Sequence, residues 1–326
     1  MYISFESLPD EFIFALAMML PLSNCFGLSQ TNKRFSNLIC NNNYFWQQKF
    51  YHNYLFYGSR INYQGSWKIL YLSLLDVWTF GDNMFKQLGL GDNEYKKVPT
   101  IIPNIKAKSI FTGVNSSAII DLNDNLWMFG DNTDGQLGLG DFTPRYYPTL
   151  LPSIKVKQVA FGQHHTILID LDNNVWTFGN NQYGQLGLGN TNNYLVPQQI
   201  SCLKAKQVAA GAFHTIIIDL NNNLWSFGYN AFGQLGLGDF NNRTIPTPIS
   251  LLKAQQVSVG KLSSVVIDLN YNVWSFGSSD YGQLGLGRIP ELNKPTQIPD
   301  IKAQQVSTKD YHLIILDLNN NVWGCG

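Results

Sequence analysis

Between Lys204 and Asp219 the alternation of apolar and polar positions changes character. Lys204-Ala205-Lys206-Gln207-Val208-Ala209-Ala210-Gly211 alternates with period two, whereas His214-Thr215-Ile216-Ile217-Ile218-Asp219 is β-branched and apolar on both faces. The first run predicts a half-buried strand and the second a strand covered on both sides. The Asn221-Asn222-Asn223 turn then returns the chain into Leu224-Trp225-Ser226-Phe227-Gly228 as a hairpin. Farther on, Pro246 predicts only a short outer strand around Ile249.

This pattern recurs along the chain. Trp78, Trp127, Trp176, Trp225, Trp274 and Trp323 are each 49 residues apart, as are Gln87, Gln136, Gln185, Gln234 and Gln283, each of which opens a Gln-Leu-Gly-Leu-Gly run. A fixed period of this size marks a repeat architecture. Three or four short antiparallel strands per period, with no helical spacing, predict a mainly-β propeller of four-stranded blades over residues 77–326. The tryptophan column is expected between blades as the repeat core, at roughly 4–6 kcal/mol per ring. Gly113, Gly162, Gly211 and Gly260 form a second column, expected either where blades crowd the axis or where φ is positive. Five complete units precede Gly326, which falls inside a sixth. Five to six blades are expected, with closure of the ring left open; pairing of residues 302–317 with 77–102 would give about five.

The first 48 residues follow a helical pattern instead. Ser7-Leu8-Pro9-Asp10 reads as a capping box, followed by a stripe of Phe12, Leu16 and Leu20 that ends at Pro21. A short helix is expected over residues 24–30 and a third with Phe35, Leu38 and Ile39 inward, before an Asn-rich turn at Asn41 to Asn43 and then Trp46. So small an all-α module has a marginal core and needs a partner or a neighbouring domain on one side. Residues 49–76 read as a connector, helical over Trp67 to Leu72.

Charge and chemistry narrow the function. Lys plus Arg and Asp plus Glu both number 22, so there is no global field to draw in nucleic acid or an anionic membrane, and neither is an expected partner. Cys25, Cys40, Cys202 and Cys325 lack metal-ligand spacing and point to a reducing compartment, cytoplasmic or nuclear. The acidic N-terminus does not read as a secretory signal, and Phe12 to Leu22 falls short of a membrane span. His165, His214 and His312 share one column, Ser116 and Ser263 fill it in other copies, and Asp121, Asp170, Asp219, Asp268 and Asp317 form another. Equal positions in successive copies lie on a ring, too far apart for a catalytic relay, so these residues are expected to tie strands and turns together. The Gly-x-x-Gly-x-Gly spacing opens no helix and lacks a following Lys-Ser or Lys-Thr, so it does not read as a phosphate loop. The lysine column at 106, 155, 204, 253 and 302 is expected to guard strand starts. No catalytic residue, cofactor or metal is expected, and the chain does not read as an enzyme.

Two resemblances add to this reading. The Trp-x-Phe-Gly strand, the Gly-Gln-Leu-Gly-Leu-Gly loop and the proline before the outer strand resemble the regulator-of-chromosome-condensation repeat. That family's founding activity, guanine-nucleotide exchange on a small nuclear GTPase, relies on an inserted wedge, for which the uniform spacing leaves no room. In the N-terminal module, Leu8-Pro9-Asp10-Glu11, Leu16, Leu20-Pro21-Leu22, Leu28, Lys33-Arg34-Phe35, Leu38-Ile39 and Trp46 resemble the F-box, with departures at Asn24, Cys25, Thr31 and Phe35. The F-box resemblance implies docking of Leu8, Pro9, Leu20, Pro21, Leu22 and Leu28 onto the adaptor subunit of an SCF-type cullin-RING ubiquitin ligase and, through it, the cullin. The propeller would then hold a target protein, with specificity expected at Met84-Phe85-Lys86, Phe142 to Arg145, Asn190 to Tyr194, Phe240 to Arg243 and Arg288 to Leu292. The other reading is a stand-alone, protein-binding or inhibitory propeller capped by the helices.

Overall fold

The computed structural model describes Ala17, Leu38, Ile39, residues 42–54 and residues 75–326 apart from Arg288. The expected adaptor contacts Leu8, Pro9, Leu20, Pro21, Leu22 and Leu28, and the helix at 67–72, lie outside the described residues. The chain divides into two compact units, one of residues 1–79, 99–108 and 121–123, the other of residues 80–98, 109–120 and 124–326.

In the first unit, α1 (Asn43–Tyr54) starts where Asn42 caps it. The Asn42 side-chain oxygen accepts from the backbone N–H of Tyr44 (3.0 Å) and Phe45 (3.2 Å), satisfying two of the helix's orphan donors. Trp46 therefore lies inside a helix, and this helix runs across position 48, where the sequence suggested a domain boundary. Phe45 and Trp46 are buried and meet edge to face at 5.3 Å, and the Lys49 ammonium donates to the Ala17 carbonyl at 3.0 Å.

The repeats are built from β1 (Asp76–Gly81), β2 (Lys96–Thr112), β3 (Ser116–Asp121), β4 (Asn125–Gly130), β5 (Arg145–Phe161), β6 (His165–Asp170), β7 (Asn174–Gly179), β8 (Tyr194–Ala210), β9 (His214–Asp219), β10 (Asn223–Gly228), β11 (Arg243–Val259), β12 (Ser263–Asp268), β13 (Asn272–Gly277), β14 (Leu292–Lys309), β15 (His312–Asp317) and β16 (Val322–Cys325). Each strand pairs with the next in sequence. The outer strand is longer than Pro246 suggested, because β11 spans 17 residues and serves two blades. Its Thr247 to Ile249 pair with β10, and its Gln256 to Val259 pair with β12. Pro246 sits where the register with β10 shifts, between the pairs Ser226↔Thr247 and Gly228↔Arg243, so its missing N–H breaks no regular ladder.

Four blades have four strands, the first has β1 and the start of β2, and the last has the end of β14 with β15 and β16. The strand order runs from β1 to β16 without returning, so the sheet is not closed. In a five-bladed closure β15 would pair with β1, the start of residues 77–102; it pairs instead with β16.

The core lies between successive blades. Ile216 and Ile218 join Val257, Val266 and Phe276 of the following copy, whereas Ile217 joins Ile167 and Ile169 of the preceding one. Alternate residues of one strand thus serve two interfaces, which is why the run is apolar throughout. The fully buried aromatic column is phenylalanine, with Phe178, Phe227 and Phe276 each 0% exposed. Trp176, Trp225 and Trp274 pack beside these clusters only partly buried, and Trp127 is likewise partly buried. In the end strands, Trp78 and Trp323 are 56% and 51% exposed. The tryptophan column expected as core is therefore its margin, because the indoles reach outward to bond aspartates.

Crowding, and not positive φ, explains the inner glycine column. A Cβ on Gly211 would stand 2.2 Å from the His214 ring. Glutamines cover the inner edge: Gln207 donates to the Val257 carbonyl (3.1 Å) and accepts from the Val257 N–H (3.2 Å), and Gln256 bridges to Val306 in the same way.

Candidate protein-binding face

The glycine-rich loops are cross-braced by hydrogen bonds that the sequence reading missed. In four copies a buried asparagine, Asn83, Asn132, Asn181 or Asn230, accepts from the N–H of the leucine in Gln-Leu-Gly at 2.9 to 3.0 Å. Its amide donates to residue 92, 141, 190 or 239, across the loop. The repeat glutamine closes the other half; Gln185 accepts from Tyr183 N–H and donates to Asn180, both at 2.9 Å. In the fifth copy Ser279 stands in the asparagine column, and its buried hydroxyl has no hydrogen-bond partner among the described residues. The column was visible in the sequence as Asn at the same 49-residue spacing.

Several residues expected to read a target are engaged internally. Arg145 pairs with Asp141 at 2.8 Å and Arg243 with Asp239 at 2.6 Å, while Asn190 donates to the Tyr194 hydroxyl. Those arginines hold the Asp141 and Asp239 carboxyls below the usual carboxylate range. Phe142 and Phe240 project outward, 55% and 50% exposed.

The histidine column is structural. His165 and His214 are 0% exposed, and burial pushes both down to about 3, so they are neutral in the fold. Successive copies approach more closely here than the ring argument allowed: His165 Nε2 is 3.0 Å from Thr215 Oγ1, and His214 Nε2 is 3.0 Å from Ser264 Oγ. Each hydroxyl already donates to a backbone carbonyl, Gln185 or Gln234, so the imidazole Nε2–H is the donor and no hydroxyl is activated.

At one end of the short strands lie the hairpin turns. Asp219 accepts from the N–H of Asn221 and Asn223 (both 2.8 Å), from the Asn223 amide (2.7 Å) and from the Trp225 indole (3.0 Å). Burial opposes ionisation of Asp219, but these hydrogen bonds outweigh it and hold the carboxyl below its ordinary value. Asp170, Asp268 and Asp317 repeat the arrangement. The lysine column also ends here rather than guarding strand starts: Lys253 bonds the Asn221 carbonyl at 3.1 Å and the Asn223 side chain at 2.6 Å. Beside these turns Trp176, Leu171, Pro152, Ile154 and Pro197 line a cleft of about 700 Å³.

The other end of the same strands differs from copy to copy. The turns between inner and second strands carry Asn115, His164, Phe213, Leu262 and Tyr311 in one column, and the loops facing them carry Phe85, Asp134, Tyr183, Phe232 and Tyr281 in another. A third column reads Asp82, Asp131, Asn180, Tyr229 and Ser278. Backbone bonds fasten the columns together, Asn180 N–H to the His164 carbonyl and Tyr229 N–H to the Phe213 carbonyl, both at 2.8 Å. On that frame the rings form a row. His164 stacks on Phe213 at 5.6 Å, Tyr183 meets Phe213 at 5.3 Å and Tyr229 at 4.8 Å, and Tyr229 meets Phe232 at 6.2 Å. Asp134 fixes one end, bonded to His164 Nδ1 (2.7 Å) and the Asn180 amide (3.1 Å). In the next copies Tyr281 meets Tyr311 at 4.6 Å, and Lys261 lies over the Tyr311 ring. Half-buried aromatic residues on a rigid frame match the composition of protein-interface anchors.

The Regulator of chromosome condensation (RCC1) repeat matches residues 76–120, 123–169, 172–218, 221–267 and 272–316. This chain belongs to the RCC1-repeat family. A second RCC1-repeat description matches residues 156–185 and 205–234 within it. Among solved structures, human WBSCR16 is similar at 19% identity and a TM-score of 0.66, over 74% of this chain and 67% of that one. Yeast RCC1 (Prp20), in a structure bound to Kap60, is similar at 21% identity and a TM-score of 0.68, over 77% and 65%. Prp20p from Saccharomyces cerevisiae, in a structure described with its binding to Gsp1p and histones, is similar at 21% and 0.63, over 73% and 63%. The matched part thus spans about two thirds of the length of those chains. No curated protein matches the sequence.

Proposed function

We propose that this chain is a non-catalytic, protein-binding RCC1-type propeller whose aromatic row grips a target protein. The observation that carries this is the concentration of copy-to-copy variation in the columns of Tyr183, Phe213 and Tyr229, while the scaffold columns around them repeat. Likeness to propellers whose structures are described with the protein partners Kap60, Gsp1p and histones supports a binding role. The finer reading is a substrate receptor of an SCF-type ubiquitin ligase, supported by the F-box-like order of Leu8, Pro9, Leu20, Pro21, Leu22 and Leu28. Chemistry would then belong to the other ligase subunits, and the site of action would be cytoplasmic or nuclear.

Two measurements separate the levels of this reading. Purified adaptor should co-elute with the full chain and not with a Leu8→Ala, Pro9→Ala variant; absence of binding by the wild type removes the ligase role and leaves the stand-alone propeller. Proteins captured from cells by the wild type should be lost with the triple variant Tyr183→Ala, Phe213→Ala, Tyr229→Ala. Retention by the folded triple variant would remove the aromatic row from the binding role.

A further inference from the structure

At its low-numbered end the aromatic row runs into carboxylates. Asp82 and Asp131 precede Asn180 and Tyr229 in one column, and Asp134 precedes Tyr183 in another. Asp82 accepts from the Met84 N–H (3.3 Å) and the Gln87 amide (3.0 Å), and Asp131 from the Thr133 N–H (3.1 Å) and the Gln136 amide (3.0 Å), all uncharged donors. Among the described residues no lysine or arginine pairs with any of the three aspartates. Asp134 holds the His164 ring through Oδ2 and the Asn180 amide through Oδ1. It stays 25% exposed, so each oxygen keeps a lone pair for an incoming donor.

The rings narrow what that donor can be. Lys261 lies 5.6 Å from the Tyr311 ring centre, so one ring on this face already takes a cation over its π surface. Among the described residues no cation lies over Tyr183, Phe213 or Tyr229. Single-stranded nucleic acid also stacks on aromatic rows, but it requires a positive groove, and carboxylates repel its phosphates. A guanidinium suits both halves of the site, because its plane stacks on a ring while its edge donates to a carboxylate; a compact ammonium does only the second.

We propose that the row recognises a protein segment in which an arginine stands next to an apolar side chain, with the guanidinium at the Asp134 end and the apolar neighbour at the Tyr229 end. This rests on the binding role given to the row above and adds the chemistry of its target.

Randomised short peptides displayed on phage and selected on the full chain test it. Peptides whose binding is lost with Phe213→Ala should carry an arginine beside an aromatic or aliphatic residue. Replacing that arginine by citrulline, its uncharged isostere, should weaken binding to the wild-type chain by roughly tenfold or more. Asp134→Asn should weaken the arginine peptide to a similar degree and leave the citrulline peptide unchanged. Peptides that depend on Phe213 but lack arginine, or that bind equally well with citrulline, would overturn the arginine reading and leave the row as a binding surface. Selection of no Phe213-dependent peptide, or Phe213-dependent binding of single-stranded RNA, would overturn it together with the protein-binding role of the row.

Discussion

The two ends of the short strands use their side chains in opposite ways. At the hairpin end, Asp219 satisfies the turn and the Trp225 indole at once, and the same bonding recurs in the copies of Asp170, Asp268 and Asp317. Five residues away along β9, the end near His214 meets columns whose residues vary among the copies and whose rings touch one another. A turn whose polar groups are internally satisfied has little left to offer a partner, whereas half-buried rings lose little conformational freedom on binding. On the proposed reading, the scaffold lies in the constant columns and recognition in the variable ones.

The sharpest way to break this contrast is to truncate one ring from each class. Phe227 is fully buried and sits against Gly187, where a Cβ would come within 2.8 Å of the ring. Phe227→Ala should cost about 3–5 kcal/mol of unfolding free energy. Phe213→Ala removes a half-buried ring on the variable edge and should cost about 1 kcal/mol or less while abolishing target binding. Equal losses of stability in urea titrations would erase the distinction.

Next comes the asparagine column. Asn181→Ala strands the Leu186 N–H inside the loop and should cost about 2–3 kcal/mol. Ser279→Asn supplies the missing acceptor in the fifth copy and should raise stability by about 1 kcal/mol. A Ser279→Asn protein with an unchanged or lower denaturation midpoint would show that this loop is held differently.

These cases also show what the sequence could tell. The run from His214 to Asp219 announced a strand covered on both faces, and the Asp219 turn was legible because Asp, Asn and Asn recur at fixed offsets. The role of Phe227 over Trp225 was not, since both lie on the same side of β10 and only depth within the interface separates them. Strand β11 was hidden by Pro246, because proline forbids a ladder bond but not a bend between two blades. The aromatic row escaped notice because its members come from different copies and meet only when turns 164, 213 and loops 183, 229 are stacked. The motifs of the first 48 residues lie almost entirely outside the described residues, so the adaptor contacts rest on their order and spacing.

Acid should act first through the buried histidines. His165 and His214 are held at about 3 against an ordinary 6.5, so the unfolded chain binds more protons once pH falls below the ordinary value. Their neutral burial therefore favours folding above that pH and is lost on acidification, by on the order of 1 kcal/mol for each histidine at about one pH unit below it. Urea midpoints at about pH 7.5 and about pH 5.5 should differ accordingly, and a pH-independent midpoint over this window would contradict the buried, neutral state.

The most direct test places a photoreactive amino acid at Tyr183 in the aromatic row or at Leu171 beside the Trp176 cleft, in the full chain within cells. Position 183 should cross-link to a target protein and position 171 should not. Cross-linking from 171 alone would put recognition on the hairpin edge and contradict the division of labour proposed for the two ends of the blades.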